Sequence, residues 1–312
     1  MSETRRVLVT GGAGFVGATL VRRLVGGGHT VRVLDNYSTG DASYLAGVDA
    51  ELVEGDIRDA EALDGALAGM DAIIHLAAAG SVVMSVQDPV TNFDVNVVGT
   101  FQVLDAARRA GVERTVQAST GGALIGDATP PVSELSLPKP ISPYGASKLA
   151  GEGYAYAFAK AYGLRTVALR FANVYGPWSA RKQGAMTLFF RAIHAGEPLV
   201  IYGDGSSSRD YTHVDDIARA LELALERDVP GGTVLHIASG VETTVAELAR
   251  LCSEAAGVPD HPVEYRPKRA GEVNRNFAAY DLAEQMLGYR PSIDREAGIR
   301  STWHWYQEHV FG

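Results

Sequence analysis

The stretch from Arg6 to Asp35 constrains this chain more than any other. Val7-Leu8-Val9-Thr10 is apolar with no polar alternation, the pattern of a parallel strand buried on both faces. Gly11-Gly12-Ala13-Gly14-Phe15-Val16-Gly17 follows at once, then a helical pattern, the break Gly26-Gly27-Gly28, and the run Val31-Arg32-Val33-Leu34 ending on Asp35. Gly12, Gly14 and Gly17 satisfy G-x-G-x-x-G, and Gly11, Gly14 and Gly17 give a looser G-x-x-G-x-x-G. Glycines suit such a turn because it is tight, a pyrophosphate must approach the backbone, and the next helix must pack near the strand with its free N–H groups facing the phosphates. A carboxylate closing the second strand can bond both hydroxyls of an adenine ribose and repels a 2′-phosphate. The stretch predicts a dinucleotide site favouring NAD over NADP.

Apolar runs and helical segments go on alternating through the first half. The run Ala50 to Asp56, a helix from about Asp59 to Ala68, the strand Ala72-Ile73-Ile74-His75-Leu76, a helix from about Asn92 to Ala110, Thr115-Val116-Gln117-Ala118, a helix from Pro143 to Tyr162 and Thr166-Val167-Ala168-Leu169-Arg170 succeed one another. This order predicts an α/β protein with a Rossmann-type doubly wound parallel sheet. Past Asn173 the alternation is lost, with a helix from about Met186 to Ala195 and a polar loop from Tyr202 to Ser208. A helix from Asp216 to Arg227 and a strand from Val234 to Ala238 are expected to return to the sheet. The predicted division is an NAD-binding domain, 1–172 with 212–239, and a smaller α/β substrate domain, 173–211 with 240–312.

A formal net charge of −9 with 46% hydrophobic and 21% charged residues describes a globular protein and argues against nucleic acid or an anionic membrane as partner. The single cysteine, Cys252, lies in the helical stretch Val245 to Ala256 with no Cys or His at ligand spacing, so it reads as packing and no metal site is expected. A buried strand begins within a few residues of Met1 and no apolar run reaches transmembrane length, so a cytoplasmic location is expected.

Ligands of α/β sheets lie beyond the carboxyl ends of the strands, so the residues there are the candidates for chemistry. The small residues Ala77-Ala78-Ala79-Gly80 admit either a flat ring or close helix packing, and His75 in its apolar strand reads as a hydrogen-bonded core histidine. Ser119 and Thr120 place two hydroxyls at the sheet edge, fit to pass a proton or to cap a turn. The strongest signal is Ser142-Pro143-Tyr144-Gly145-Ala146-Ser147-Lys148. Ser142 fits an N-cap and Pro143 the first helical position, so Tyr144 falls in the first turn with Lys148 on the same face. An ammonium beside a phenol near the positive end of a helix lowers the tyrosine pKa, as a tyrosine general base requires.

Together with Gly55-Asp56-Ile57-Arg58-Asp59, Arg170-Phe171-Ala172-Asn173-Val174-Tyr175-Gly176-Pro177 and Arg209-Asp210-Tyr211-Thr212-His213, these segments resemble, in order, the signature of the extended short-chain dehydrogenase/reductases. Within these the chain is similar to NAD-dependent nucleotide-sugar epimerases, the UDP-glucose 4-epimerase group above all. The resemblance implies pyrophosphate contacts at Gly11, Gly14, Phe15 and Val16, ribose contacts at Asp35 and Asn36, adenine contacts at Asp56 and Ile57, and a nicotinamide side lined by Leu76, Ala77 and Ala78. It further implies cofactor contacts at Ser38, Thr39, Gly40, Asn96, Ala118 and Ala172. Tyr144 would be the base, Lys148 would hold the nicotinamide ribose and tune Tyr144, and Thr120 would share the O4 proton while C4 is inverted through a 4-keto sugar. Substrate contacts are implied at Gly80, Val82, Asn173, Thr187, Val200, Tyr202, Arg209, Arg269, Glu272 and Asn276. Relatives dimerise by pairing two long helices per subunit, here the stretches 92–110 and 144–162, whose Tyr154, Tyr156, Phe158 and Tyr162 fit an interface or a core equally.

Several departures bear on the substrate. Gly121-Gly122 follow Thr120 where 4,6-dehydratases of this superfamily carry an acid–base pair and decarboxylating relatives a Glu. Leu124-Ile125 replace an aromatic before Gly126. Asn276 stands where some relatives have a bulky Tyr that restricts the sugar's 2-substituent, so N-acetylated sugars are expected to be accepted. UDP-glucuronate 4-epimerases hold a carboxylate with an Arg shortly after the Tyr-Gly-Pro motif, and Arg181 and Lys182 keep that alternative open; a non-catalytic NAD-binding sensor is the alternative from another class.

Overall fold

The computed structural model describes residues 4–268 and 274–312. In chain order the strands are β1 (Arg6–Thr10), β2 (Thr30–Asp35), β3 (Glu51–Glu54), β4 (Ala72–His75), β5 (Arg114–Thr120), β6 (Arg165–Phe171), β7 (Asn173–Tyr175), β8 (Leu199–Tyr202), β9 (Ser208–His213), β10 (Thr233–Ile237), β11 (Glu242–Thr244), β12 (Val263–Arg266) and β13 (Arg275–Asn276). The helices are α1 (Phe15–Gly26), α2 (Ala60–Leu67), α3 (Val82–Gln87), α4 (Pro89–Phe93), α5 (Gly99–Ala110), α6 (Gly122–Ile125), α7 (Pro143–Tyr162), α8 (Ala185–Ala195), α9 (Val214–Glu226), α10 (Val245–Ala255), α11 (Asp281–Leu287) and α12 (Arg295–His309).

Seven strands form one parallel sheet in the order β10-β6-β5-β4-β1-β2-β3. The apolar run of β1 does not alternate because both its faces are covered. Val7 and Val9 pack with Leu20 of α1 and Leu221 of α9, while Leu8 packs with Leu63 of α2 and Leu104 of α5. The chain direction across the sheet reverses between β1 and β4, which opens a crevice at their carboxyl ends.

The second half builds around β9, which pairs with β7, β11 and β13, while β8 pairs with β12. Phe190 of α8, Leu248 of α10 and Trp303 and Tyr306 of α12 form its core, and Cys252 is fully buried there as packing. As expected, α9 and β10 return to the large sheet. The helix expected over 92–110 is a composite: α4, a π-helical turn Asp94–Val98 and α5 run on without a break. Such turns are rare and collect at functional sites, and this one carries Asn96. Among the described residues no helix is long and apolar enough to cross a membrane.

Candidate active site

At the crevice the glycines are required by contact. Gly11 has φ +72°, and a Cβ on it would stand 2.6 Å from the Ala77 nitrogen, while one on Gly17 would collide with the Gly11 carbonyl. Gly14 caps α1 without a side-chain bond, and the first turn, beginning Phe15-Val16, has no acidic residue. Its N–H groups form an open positive end that fits a pyrophosphate.

On the adenosine side the predicted residues come together. Asp35 is buried and its carboxylate accepts from the N–H groups of Ala13 (3.0 Å) and Tyr37 (2.9 Å); burial pushes its pKa up against those bonds. Asn36 donates to Asp56 (2.9 Å) and accepts from the Ser38 hydroxyl (2.7 Å), and the Arg58 guanidinium holds Asp56 well below the usual carboxylate range. Gly40 leaves room for Asp35, whose Oδ1 would lie 3.1 Å from an added Cβ. Ile57 is turned inward, against Gly99, so its side chain belongs to the core. Arg181 spans to this loop, donating to the carbonyls of Thr39 (3.3 Å) and Gly40 (2.9 Å) and pairing with Asp41 (2.8 Å), and Lys182 donates to the Val174 carbonyl.

The opposite wall is the end of β4 with α7. Asn96 exchanges bonds with the backbone of Ala79 (2.8 and 3.2 Å) and donates to Ser147 (3.1 Å), so it ties the Leu76–Ala78 segment to the tyrosine helix through the protein itself. Ser142 caps α7 at Gly145 as predicted, and Ser85 of α3 accepts from the Tyr144 N–H (3.2 Å). Gly145 lets α7 approach so closely that a Cβ would strike the Ala123 carbonyl. Lys148 donates to the Ala118 carbonyl at 3.1 Å.

One electrostatic expectation is corrected. Burial pushes the Tyr144 phenol up to about 12 and the Lys148 ammonium down to about 8. Desolvation is the cause at Tyr144, and the Lys148 ammonium donates to the Ala118 carbonyl.

Of the two hydroxyls ending β5, Ser119 donates to Glu152 (2.6 Å), whereas Thr120 makes no side-chain hydrogen bond among the described residues and is half-buried. His75 is the core histidine expected, bonded to Thr10 (2.7 Å) and Thr100 (3.0 Å) and held neutral by burial, with its pKa pushed down to about 3.

On the substrate side, Ala172 bonds the Ile237 carbonyl and Asn173 opens β7 half-buried. A Cβ on Gly121 would lie 3.2 Å from His236 Nδ1, and one on Gly122 3.2 Å from Asn276 Oδ1. Leu124 and Ile125 fill a small apolar cluster with Val132, Ala238 and Ala278, which accounts for aliphatic residues there. Val200 and Tyr202 are half-buried on β8. Arg209 donates to the carbonyls of Ser208 (2.7 Å) and Asn274 (3.4 Å) and meets no carboxylate among the described residues. Gly80 and Val82 are exposed. Thr187 faces the α8–α12 contact, where it accepts from Tyr306 (3.0 Å). Arg269 and Glu272 lie outside the described residues. Away from the crevice, His29, Glu222 and Glu226 lie within 4.8 Å of one another, but His29 Nδ1 accepts from the Arg5 N–H, which leaves Nε2 protonated and without a lone pair for a metal.

Sequence reasoning missed Glu152 and Arg170, a buried pair 2.8 Å apart behind Ser119, and the reach of Arg181. The signal was a charged residue one turn beyond Lys148 and another inside the apolar run of β6.

A parallel sheet that opens at its switch point onto bare glycine backbone, with a tyrosine–lysine helix face alongside, is the build of a short-chain dehydrogenase/reductase. More narrowly, the chain belongs to the NAD dependent epimerase/dehydratase family, whose model matches residues 7–238. The UDP-glucose 4-epimerase of Mycolicibacterium smegmatis is 41% identical over 308 residues, which are 95% of this chain and 97% of that one. The structure of UDP-glucose 4-epimerase with UDP-glucose from Thermotoga maritima is 36% identical with a TM-score of 0.93, covering 98% of this chain and 99% of that one. The UDP-N-acetylglucosamine 4-epimerase of Methanobrevibacter ruminantium, in complex with UDP-N-acetylmuramic acid, is 31% identical with a TM-score of 0.93, covering 99% and 100%.

Proposed function

We propose that this chain is an isomerase that inverts C4 of a UDP-hexose, UDP-glucose/UDP-galactose and also the N-acetylated pair, with NAD as cofactor. Bound NAD supplies a hydride acceptor and donor for C4 and is regenerated each turnover. The first turn of α1 with Gly11 and Gly14 holds the pyrophosphate, and Asp35, Asn36 and the Ser38–Gly40 segment hold the adenosine ribose. Lys148 anchors the nicotinamide ribose, with Leu76–Ala78 and Asn96 shaping that wall. Thr120 and Tyr144 take the O4 proton and give it back. In this reading residues 1–172 with 212–239 carry the cofactor. Residues 173–211 with 240–312 carry the nucleotide sugar through Asn173, Val200, Tyr202, Arg209, Arg269 and Asn276.

The observation that carries this reading over the dehydratase branch is the Gly121-Gly122 pair, closely packed against the side chains of His236 and Asn276 and without the extra acid and base that eliminating water needs. The engagement of Arg181 by Thr39, Gly40 and Asp41 counts against a glucuronate carboxylate site and favours neutral hexoses. Retention of both Tyr144 and Lys148 favours an enzyme over a sensor.

The proposal includes a homodimer in which the α4–α5 and α7 faces of two copies form a four-helix bundle, supported by exposed Phe93, Phe101 and Tyr154 on them. It also takes the protein as cytoplasmic, in keeping with its single, buried and unpaired cysteine. The test is to incubate purified protein, without added cofactor, with UDP-glucose, UDP-N-acetylglucosamine and UDP-glucuronate separately and resolve the 4-epimers by NMR. Conversion of the first two is expected. No conversion of any, even with NAD supplied, overturns the reading.

A further inference from the structure

Behind the two proposed proton-handling residues lies a charged cluster that those roles do not use. Glu152 sits one helical turn beyond Lys148 on α7, on the same face. Its carboxylate takes both arms of the Arg170 guanidinium (2.9 and 2.8 Å), and Ser119 donates to the same Oε1 at 2.6 Å. Arg170 stands opposite Ser119 in the β5–β6 register, and both charged side chains are 5% exposed. Lys148 bonds the carbonyl of Ala118, the residue before Ser119 on the same strand. Two neighbouring residues of β5 therefore receive the two charged ends of one face of α7.

We infer that Glu152 is a positioning residue: clamped by Arg170 and Ser119, it holds the Lys148 ammonium charged and fixed on the Ala118 carbonyl one turn from Tyr144. The inference rests on the proposed reading of Tyr144 as the base, with Lys148 as the cation that anchors the nicotinamide ribose beside it. The physical need is plain. Lys148 and Arg170 are two cations in a desolvated space, and burial lowers the Lys148 pKa while Glu152 raises it. The other groups facing Lys148 cannot replace Glu152. His75 on β4 is neutral, Tyr144 on its own helix is a buried phenol, Ser119 on β5 is uncharged, and Arg170 on β6 is itself a cation. A bidentate guanidinium and a hydroxyl also fix the carboxylate in one rotamer, so its charge acts from a set place.

The test compares Glu152→Gln, Glu152→Asp and the double variant Glu152→Gln/Arg170→Met with the native holoenzyme. One readout is the pH profile of kcat on UDP-glucose; the other is the NMR titration of Lys148 in carbon-labelled-lysine protein, its signal identified by loss in Lys148→Met. In Glu152→Gln the alkaline limb and the Lys148 titration are expected to move down by about one pH unit or more. The double variant, which also removes the buried cation that Glu152→Gln leaves unpaired, is expected to recover part of the shift and to fold where the single variant is destabilised. Glu152→Asp, which keeps the charge, is expected to keep the limb. A uniform loss of kcat at every pH with the titration unmoved overturns the inference, because that is what a merely structural pair would give. If native protein turns over no UDP-sugar, the functional reading fails, and the Lys148 titration still decides the role of Glu152.

Discussion

An added Cβ on Gly122 would lie 3.2 Å from Asn276 Oδ1, so the second residue after Thr120 is closely packed against an amide arriving from β13. Asn276 is buried and its Nδ2 has no hydrogen-bond partner among the described residues. Asn276→Tyr is expected to lower kcat/KM for UDP-N-acetylglucosamine relative to UDP-glucose by roughly tenfold or more, the scale set by filling a pocket against one substituent. Steady-state kinetics on both sugars check this, and an unchanged ratio would remove Asn276 from the discrimination.

Tyr144→Phe is expected to lower kcat by about a hundredfold to ten-thousandfold, the usual weight of a positioned proton-transfer group. The NAD content of the purified variant should stay at the native level, since the pyrophosphate and adenosine contacts are untouched. Turnover on UDP-glucose and the absorbance of released cofactor measure the two separately, and full turnover in the variant would end the role assigned to Tyr144.

His75 predicts an acid weakness. Its pKa is about 3 folded and 6.5 as the reference for the unfolded chain, so between these values the unfolded chain binds the extra proton and stability falls as pH drops from 6.5. At pH 5 the native protein should have lost about 2 kcal/mol through this residue, from ~1.4 kcal/mol per pK unit. His75→Gln starts less stable at pH 7.5, having lost bonds to Thr10 or Thr100, but should lose less on acidification. Urea midpoints at pH 7.5 and pH 5 test it, and parallel losses in both proteins would contradict it.

Arg181 joins the loop before α8 to the adenosine loop through Thr39, Gly40 and Asp41. Arg181→Met removes three bonds, two of them to carbonyls on the segment proposed to bind the ribose, and is expected to speed NAD loss about tenfold, the weight of one or two charge-assisted bonds. Cofactor retained after timed charcoal treatment reads this directly. Equal retention would make the strap a surface contact only.

Phe101 and Tyr154 meet edge to face at 5.4 Å with both rings partly exposed, on the two helical faces assigned to the dimer. Phe101→Glu with Tyr154→Glu should halve the mass seen by sedimentation equilibrium while leaving the circular dichroism spectrum in place. A native protein that sediments as a monomer would discard the bundle.

What could be read along the chain was what local chemistry repeats: the glycine turn with Asp35 one strand later, the Ser142 cap, the Tyr144–Lys148 face and the β–α alternation. Each is set by residues a few positions apart, or by the buried-strand pattern of a sheet covered on both faces. Only the tertiary structure decided which of the two hydroxyls ending β5 is left without a partner among the described residues. Ser119 and Thr120 are neighbours in sequence, yet Glu152 of α7, held by Arg170 of β6, accepts from Ser119 and not from Thr120. The same holds for the inward turn of Ile57 onto Gly99 and for Asn96, whose amide is used by Ala79 and Ser147. It holds too for the high pKa of Tyr144, which follows from burial. Desolvation and competition for hydrogen bonds depend on atoms brought from distant segments, and no spacing within one segment records them.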